Sequence, residues 1–109
     1  MKYLGALALL ACTLAATAGA ARAADKEYII TARPLVAACK PGDVCAQVTT
    51  PMRGLCTFWN MEGQGGGVET LLIVPTVVEH NRTLLLQWIN PTNALIRMPA
   101  RVYAEELCS

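Results

Sequence analysis

The chain has 109 residues, 54% of them hydrophobic and only 16% charged, with nine basic and eight acidic side chains. That length supports one domain. Near-neutral charge without a Lys/Arg cluster excludes the basic footprint that nucleic-acid binding or docking on an anionic membrane surface would need.

Residues 1–23 read as a leader. Met1-Lys2 is a short positive start, Tyr3–Leu14 is apolar apart from Gly5 and Thr13, and Ala21-Arg22-Ala23 is a small-residue cleavage motif. Together these predict a secretory signal peptide cut after Ala23, and a periplasmic or secreted mature chain of residues 24–109. The apolar run falls short of the roughly 20 residues of a membrane span. Two other readings of the leader are cleavage after Ala20 and lipidation at Cys12, since Leu9-Leu10-Ala11-Cys12 resembles a lipobox. Losing Lys2 and Arg22 leaves the mature part with a net charge of about −1.

A mature chain this small builds a marginal core and gains from covalent staples. Its four cysteines, Cys39, Cys45, Cys56 and Cys108, form an even set that allows three disulfide connectivities. Lys40-Pro41-Gly42-Asp43 is turn chemistry that lets Cys39 face Cys45, so Cys39–Cys45 with Cys56–Cys108 is the favoured pairing. No Cys-x-x-Cys spacing suggests zinc or thioredoxin-like chemistry, and neither a metal nor a cofactor is expected.

The elements follow in order. Glu27–Ala32 reads as a strand with Tyr28 and Ile30 on one face, ended or placed at an edge by Pro34. Ala37–Cys39 and Val44–Thr49 read as a hairpin around the Pro-Gly turn, stopped by Thr50-Pro51. Gly54–Met61 is an aromatic strand, followed by a flexible loop at Gly63-Gln64-Gly65-Gly66-Gly67. Val68–Val74 and Thr76–Glu79 are rich in β-branched residues; a helix through Val68–His80 is the rival, but Pro75 and the β-branched density oppose it. Glu79-His80-Asn81-Arg82 is a turn with Asn as the left-handed residue. In Thr83–Asn90, Leu84, Leu86 and Trp88 share one face, and Leu85, Gln87 and Ile89 the other. Asn90-Pro91-Thr92-Asn93 is a further turn. Leu95–Met98 fits a strand, and Ala100–Leu107 fits either a strand or two helical turns. The fold class is therefore mainly β: five to seven short strands in a disulfide-stapled antiparallel sandwich or barrel-like sheet, with at most one short C-terminal helix.

Catalytic material is sparse. Ser109 is the sole serine and His80 the sole histidine, and an even cysteine count leaves no free thiol for a Cys–His nucleophile. The glycine run could cradle phosphate only before a helix, whereas a strand is expected there. Glu105 and Glu106 are adjacent and point in different directions, and nothing fixes the distance between Glu62 and Glu69. No catalytic residue is assigned. Phe58 and Trp88 are assigned to the core and Trp59 to a binding surface. The face carrying Leu71, Ile73, Leu85 and Ile89 holds more apolar surface than a small core absorbs, and is expected to meet a second copy or another protein. The functional expectation is a non-enzymatic exported module that binds a protein or envelope partner, as an inhibitor or accessory subunit. A small secreted hydrolase or thiol-redox enzyme is the alternative, and a domain assembling by strand pairing is a third reading.

Overall fold

Strands form where β-branched and aromatic residues alternate with polar ones. They are β1 (Lys26–Ala32), β2 (Ala38–Cys39), β3 (Val44–Pro51), β4 (Cys56–Asn60), β5 (Leu72–Val78), β6 (Thr83–Ile89), β7 (Ile96–Arg97) and β8 (Val102–Cys108). The computed structural model describes residues 25–80 and 82–109, so the expected signal peptide, its cleavage site and Cys12 lie outside the described residues. Two three-stranded antiparallel sheets, ordered β1-β8-β4 and β3-β6-β5, build a small sandwich-like fold, and β2 with β7 forms a two-stranded flap. The barrel is not closed, but one corner is stitched: Pro34 bridges Ala46, and Leu35 N–H donates to Cys45 O at 2.8 Å.

Period-two alternation selects the core. On β6, Leu84, Leu86 and Trp88 are buried; Leu86 and Trp88 join one core cluster with Val102 and Ala104 of β8 and Ile30 and Ala32 of β1 across the sandwich. Each such large apolar side chain contributes about 1.5–3 kcal/mol on burial. Trp88 is wholly buried, and Phe58 packs against the same cluster while partly exposed. Both disulfides have the favoured pairing, Cys39–Cys45 and Cys56–Cys108. Gly42 at φ 81° makes the first possible, folding Pro41-Gly42 so that Asp43 N–H reaches Lys40 O at 3.1 Å. The second joins directly opposed residues of β4 and β8.

Several elements differ from expectation. The C-terminal segment is not helical: β8 is the central strand of its sheet, with Val102, Ala104, Glu106 and Cys108 buried. A carboxylate on the inward face had hidden that period. The expected hairpin between residues 37–39 and 44–49 is not a ladder; β2 pairs with β7, Cys39 opposite Ile96, and the Cys39–Cys45 disulfide links it to β3. Val68–Thr70 forms a single 3₁₀ turn, and the strand that follows runs straight through Pro75. Pro75 is tolerated because β5 is an edge strand with ladder bonds on one side only. In the β5–β6 turn, Glu79 and His80 hold positive φ, 51° and 53°, so the left-handed positions fall on them. Asn81 lies outside the described residues.

Asn90 is more than a turn residue. Fully buried, it donates through Nδ2 to Cys39 O (3.0 Å) and Ala94 O (2.8 Å), and its Oδ1 accepts from Thr92 N (2.9 Å) and Oγ1 (2.7 Å). It therefore pins the disulfide turn to the end of β6.

Candidate functional site

Because inward positions are fixed by the core, each sheet has an outer face that can be read row by row from its register. On the β1-β8-β4 sheet one row is Ile29, Glu105, Trp59 and the next is Glu27, Leu107, Thr57. Ile29 is 57% exposed, Trp59 43%, and Leu55, just before β4, 82%. Leu55, Thr57, Leu107 and Asp25 line a shallow open depression at one end. At the other end Arg33 and Arg101 flank Tyr103 around a second open concavity. This face thus combines an aromatic ring, aliphatic surface and charges of both signs.

The outer face of β3-β6-β5 is different. Its rows are Val44, Ile89, Leu72; then Gln47, Gln87, Val74; then Thr49, Leu85, Thr76; then Pro51, Thr83, Val78. No charged residue is among them. Gln87 Nε2 donates to Gln47 Oε1 at 3.1 Å across the strands, and Leu72 is 54% exposed.

The expected binding residues are therefore divided. Trp59 lies on the first outer face; Leu85 and Ile89 lie on the second. Leu71 and Ile73 are on neither: Leu71 is buried, and Ile73 stands opposite Trp88 and packs on the core. The 3₁₀ turn uses residues 68–70, and the strand begins at Leu72 rather than at Val68. Its phase is set by the pairing with β6, which puts Val78 opposite Thr83, Leu72 opposite Ile89 and Val74 opposite Gln87, so Leu72 and Val74 occupy the outward positions assigned to Leu71 and Ile73. Ile29 and Leu55 were not anticipated as surface residues; the alternation of Ile29 against inward Tyr28 and Ile30 is the signal that places it outside.

Other candidate chemistry resolves into structure. The glycine loop is not a free tether. Gln64 Oε1 accepts from Tyr103 N–H (2.9 Å), while Gln64 Nε2 donates to Met61 O (2.7 Å) and Tyr103 O (3.2 Å), continuing the β8 edge after β4 ends. Glu69 accepts from Gly65 N–H (2.9 Å) and Gly67 N–H (3.1 Å), so the amides that could have cradled a phosphate already hold a carboxylate. His80 is exposed on the turn tip, and no hydrogen bond or ion pair of its side chain is found among the described residues. Cys56, Cys108 and Glu106 gather within 4.8 Å, but both sulfurs are consumed in one disulfide, whereas a metal would need thiolates.

The interior does carry one charged pair. Glu106, 1% exposed on the inner face of β8, accepts from Arg53 Nη1 at 2.5 Å. Arg53 also donates to Thr50 Oγ1 (3.0 Å) and lies over the Tyr28 ring at 4.3 Å. Burial pushes the Glu106 carboxyl above its ordinary value, and the Arg53 charge and hydrogen bond only partly offset this. Arg53 has access to solvent; Glu106 does not. Arg53 lines a small open pocket with Lys26, Tyr28, Cys108 and Ser109, and Glu106 is not among its lining residues.

The two disulfides are consistent with a compartment outside the reducing cytosol, and no helix among the described residues is long and apolar enough to cross a membrane. Comparison with known protein families, curated proteins and solved structures finds no match for this chain.

Proposed function

We propose that the protein is an exported, non-enzymatic binding module that docks a protein or cell-envelope partner on the outer face of the β1-β8-β4 sheet, as an inhibitor or accessory subunit. One observation carries this reading: the Ile29–Glu105–Trp59 row, in which two large apolar side chains stand about half exposed on either side of a carboxylate. Exposed aromatic and aliphatic anchors beside charge are the usual composition of interface centres. The periplasmic or secreted address belongs to the same proposal and rests on the leader and the disulfides.

The test is comparative capture from the native compartment with wild type and Trp59→Ala, after chemical crosslinking. Wild type is expected to retain a defined partner. Trp59→Ala should weaken it by about 30-fold or more, as loss of a hot-spot ring does, with an unchanged melting temperature. A variant that retains every captured partner at wild-type strength refutes the assignment of this face.

A further inference from the structure

The uncharged outer face of β3-β6-β5 raises a separate question, independent of the Trp59 face. Solvated sheet faces normally alternate apolar inside with polar or charged outside. Here six aliphatic side chains stand on the outside, among them Leu72, Val74, Leu85 and Ile89, with threonine, proline and a central glutamine pair as their only company. Charge stands at its margins, with Glu79 accepting from Thr83 Oγ1 (3.4 Å) at the β5–β6 turn and exposed Asp43 preceding Val44, and on or beside the opposite sheet, where Glu27, Glu105, Arg33 and Arg101 cluster.

A twofold interface brings a patch against itself, so any charge near its axis meets its own kind. A face without charge meets this requirement, and it offers nothing by which a differently charged partner could be selected. Edge-to-edge growth of this sheet is hindered at one point on each side. Pro75 interrupts the free edge of β5, and the start of the β3 edge, at Cys45 and Ala46, is taken by the Leu35 N–H bond and the Pro34 bridge. We propose that this face packs on the same face of a second copy of the chain, giving an isologous dimer with its axis near Gln87. Gln87 lies at the middle of the central strand, and its Oε1 and Gln47 Nε2 have no protein partner among the described residues. Across the axis each of these groups meets a complementary one.

The footprint sets the strength. Three strands at ~4.8 Å and seven residues at ~3.3 Å cover about 14 Å by 23 Å, roughly 300 Å². That is below the ~800 Å² per partner of a standard stable interface, so the dimer is weak and concentration-dependent.

Sedimentation velocity on the mature, oxidised protein, from low-micromolar to near-millimolar concentration, tests this. Wild type should shift from monomer towards dimer. Gln87→Glu, nearly isosteric and at a solvent-facing position, should raise the dissociation constant by about tenfold or more with an unchanged melting temperature, and Gln87→Lys should do the same. An equimolar mixture of the two should associate again, because opposite charges now face each other across the axis. A wild type that remains monomeric throughout, a folded Gln87→Glu variant that associates as wild type does, or a mixture that stays monomeric would each overturn the proposal.

Discussion

Replacing Arg53 by Ala isolates the least forgiving contact in the molecule. Glu106 Oε1 has Arg53 as its hydrogen-bond donor, while Oε2 lies 3.2 Å from Cys108 Sγ, a half-cystine without a proton to give. Without the guanidinium, a carboxylate 1% exposed is left uncompensated. Breaking a buried pair in this way costs about 3–5 kcal/mol. Arg53 is 27% exposed, so water reaches the vacated space, and the lower end, about 3 kcal/mol, is expected. A chain of this size has only about 4–13 kcal/mol in total, so the loss is a large fraction. Glu106→Gln should cost about 1 kcal/mol or less, because the amide oxygen still accepts from Arg53.

The pH dependence separates this account from simple loss of packing. Burial raises the Glu106 carboxyl above its ordinary value of 4.5, so the folded state holds the proton to higher pH than the unfolded chain does. Stability from this group is therefore greatest below that value, declines as pH rises through the folded value, and is flat above it. Arg53→Ala removes the only opposing charge and should steepen the decline; Glu106→Gln should abolish it. Urea melts of the three proteins near neutrality and at about pH 5 provide the measurement. A loss under about 1 kcal/mol for Arg53→Ala, an equal loss for Glu106→Gln, or an Arg53→Ala protein that weakens further on acidification would refute the reasoning.

Other expectations follow from the same structure. Asn90→Ala takes the amide from the Cys39 carbonyl and the Thr92 N–H, while Ala94 O keeps Thr92 Oγ1 as a donor, and should cost about 2 kcal/mol, read as a fall in melting temperature; a loss under about 0.5 kcal/mol would show that water replaces the amide. The two disulfides close sequence separations of 52 and 6, worth about 4 and about 2 kcal/mol by loop entropy. Double Cys→Ala removal of Cys56–Cys108 should therefore be the more damaging in denaturant melts, and equal losses would contradict the loop-length argument. Intact mass of exported protein should place the mature terminus at Ala24 with no lipid on Cys12.

Side-chain alternation and turn chemistry were legible where apolar content and period agreed. Leu84, Leu86 and Trp88 announce a core face, and Pro41-Gly42 between two cysteines announces their bridge. Three features resisted reading, each for a physical reason. β8 was ambiguous because Glu106 occupies an inward position, and its partner Arg53 is far away in sequence, so no local pattern reveals the compensation. The β2–β7 pairing is two residues long and non-local, too short for a period to register. The phase of β5 is set by its register with β6, Val78 opposite Thr83, and apolar residues at both Ile73 and Val74 leave no local sign of it, so Leu71 and Ile73 move from surface to core. The loop at residues 63–67 reads as flexible from its glycines alone, yet Gln64 and Glu69 satisfy its backbone, and such contacts are set by tertiary position.

The distribution of polarity between inside and outside bears on both proposed surfaces. This small domain buries Glu106 and Asn90 and part of Arg53, while Ile29, Leu55 and Leu72 are exposed to more than half of their surface. Replacing a buried ion pair by apolar residues is often neutral or stabilising, and exposed aliphatic residues contribute little to a monomer. Shortage of apolar side chains is not the cause, since Ile29, Leu55 and Leu72 are left outside the core. The buried polar groups instead hold defined positions: Asn90 fixes the disulfide turn, and Arg53–Glu106 ties the segment after β3 to the centre of the opposite sheet. The outer aliphatics have no comparable role within one copy of the chain. Departures from the inside-apolar rule tend to mark functional positions. The argument therefore runs outward: what the core does not need from Ile29 and Leu72, a surface they meet can use.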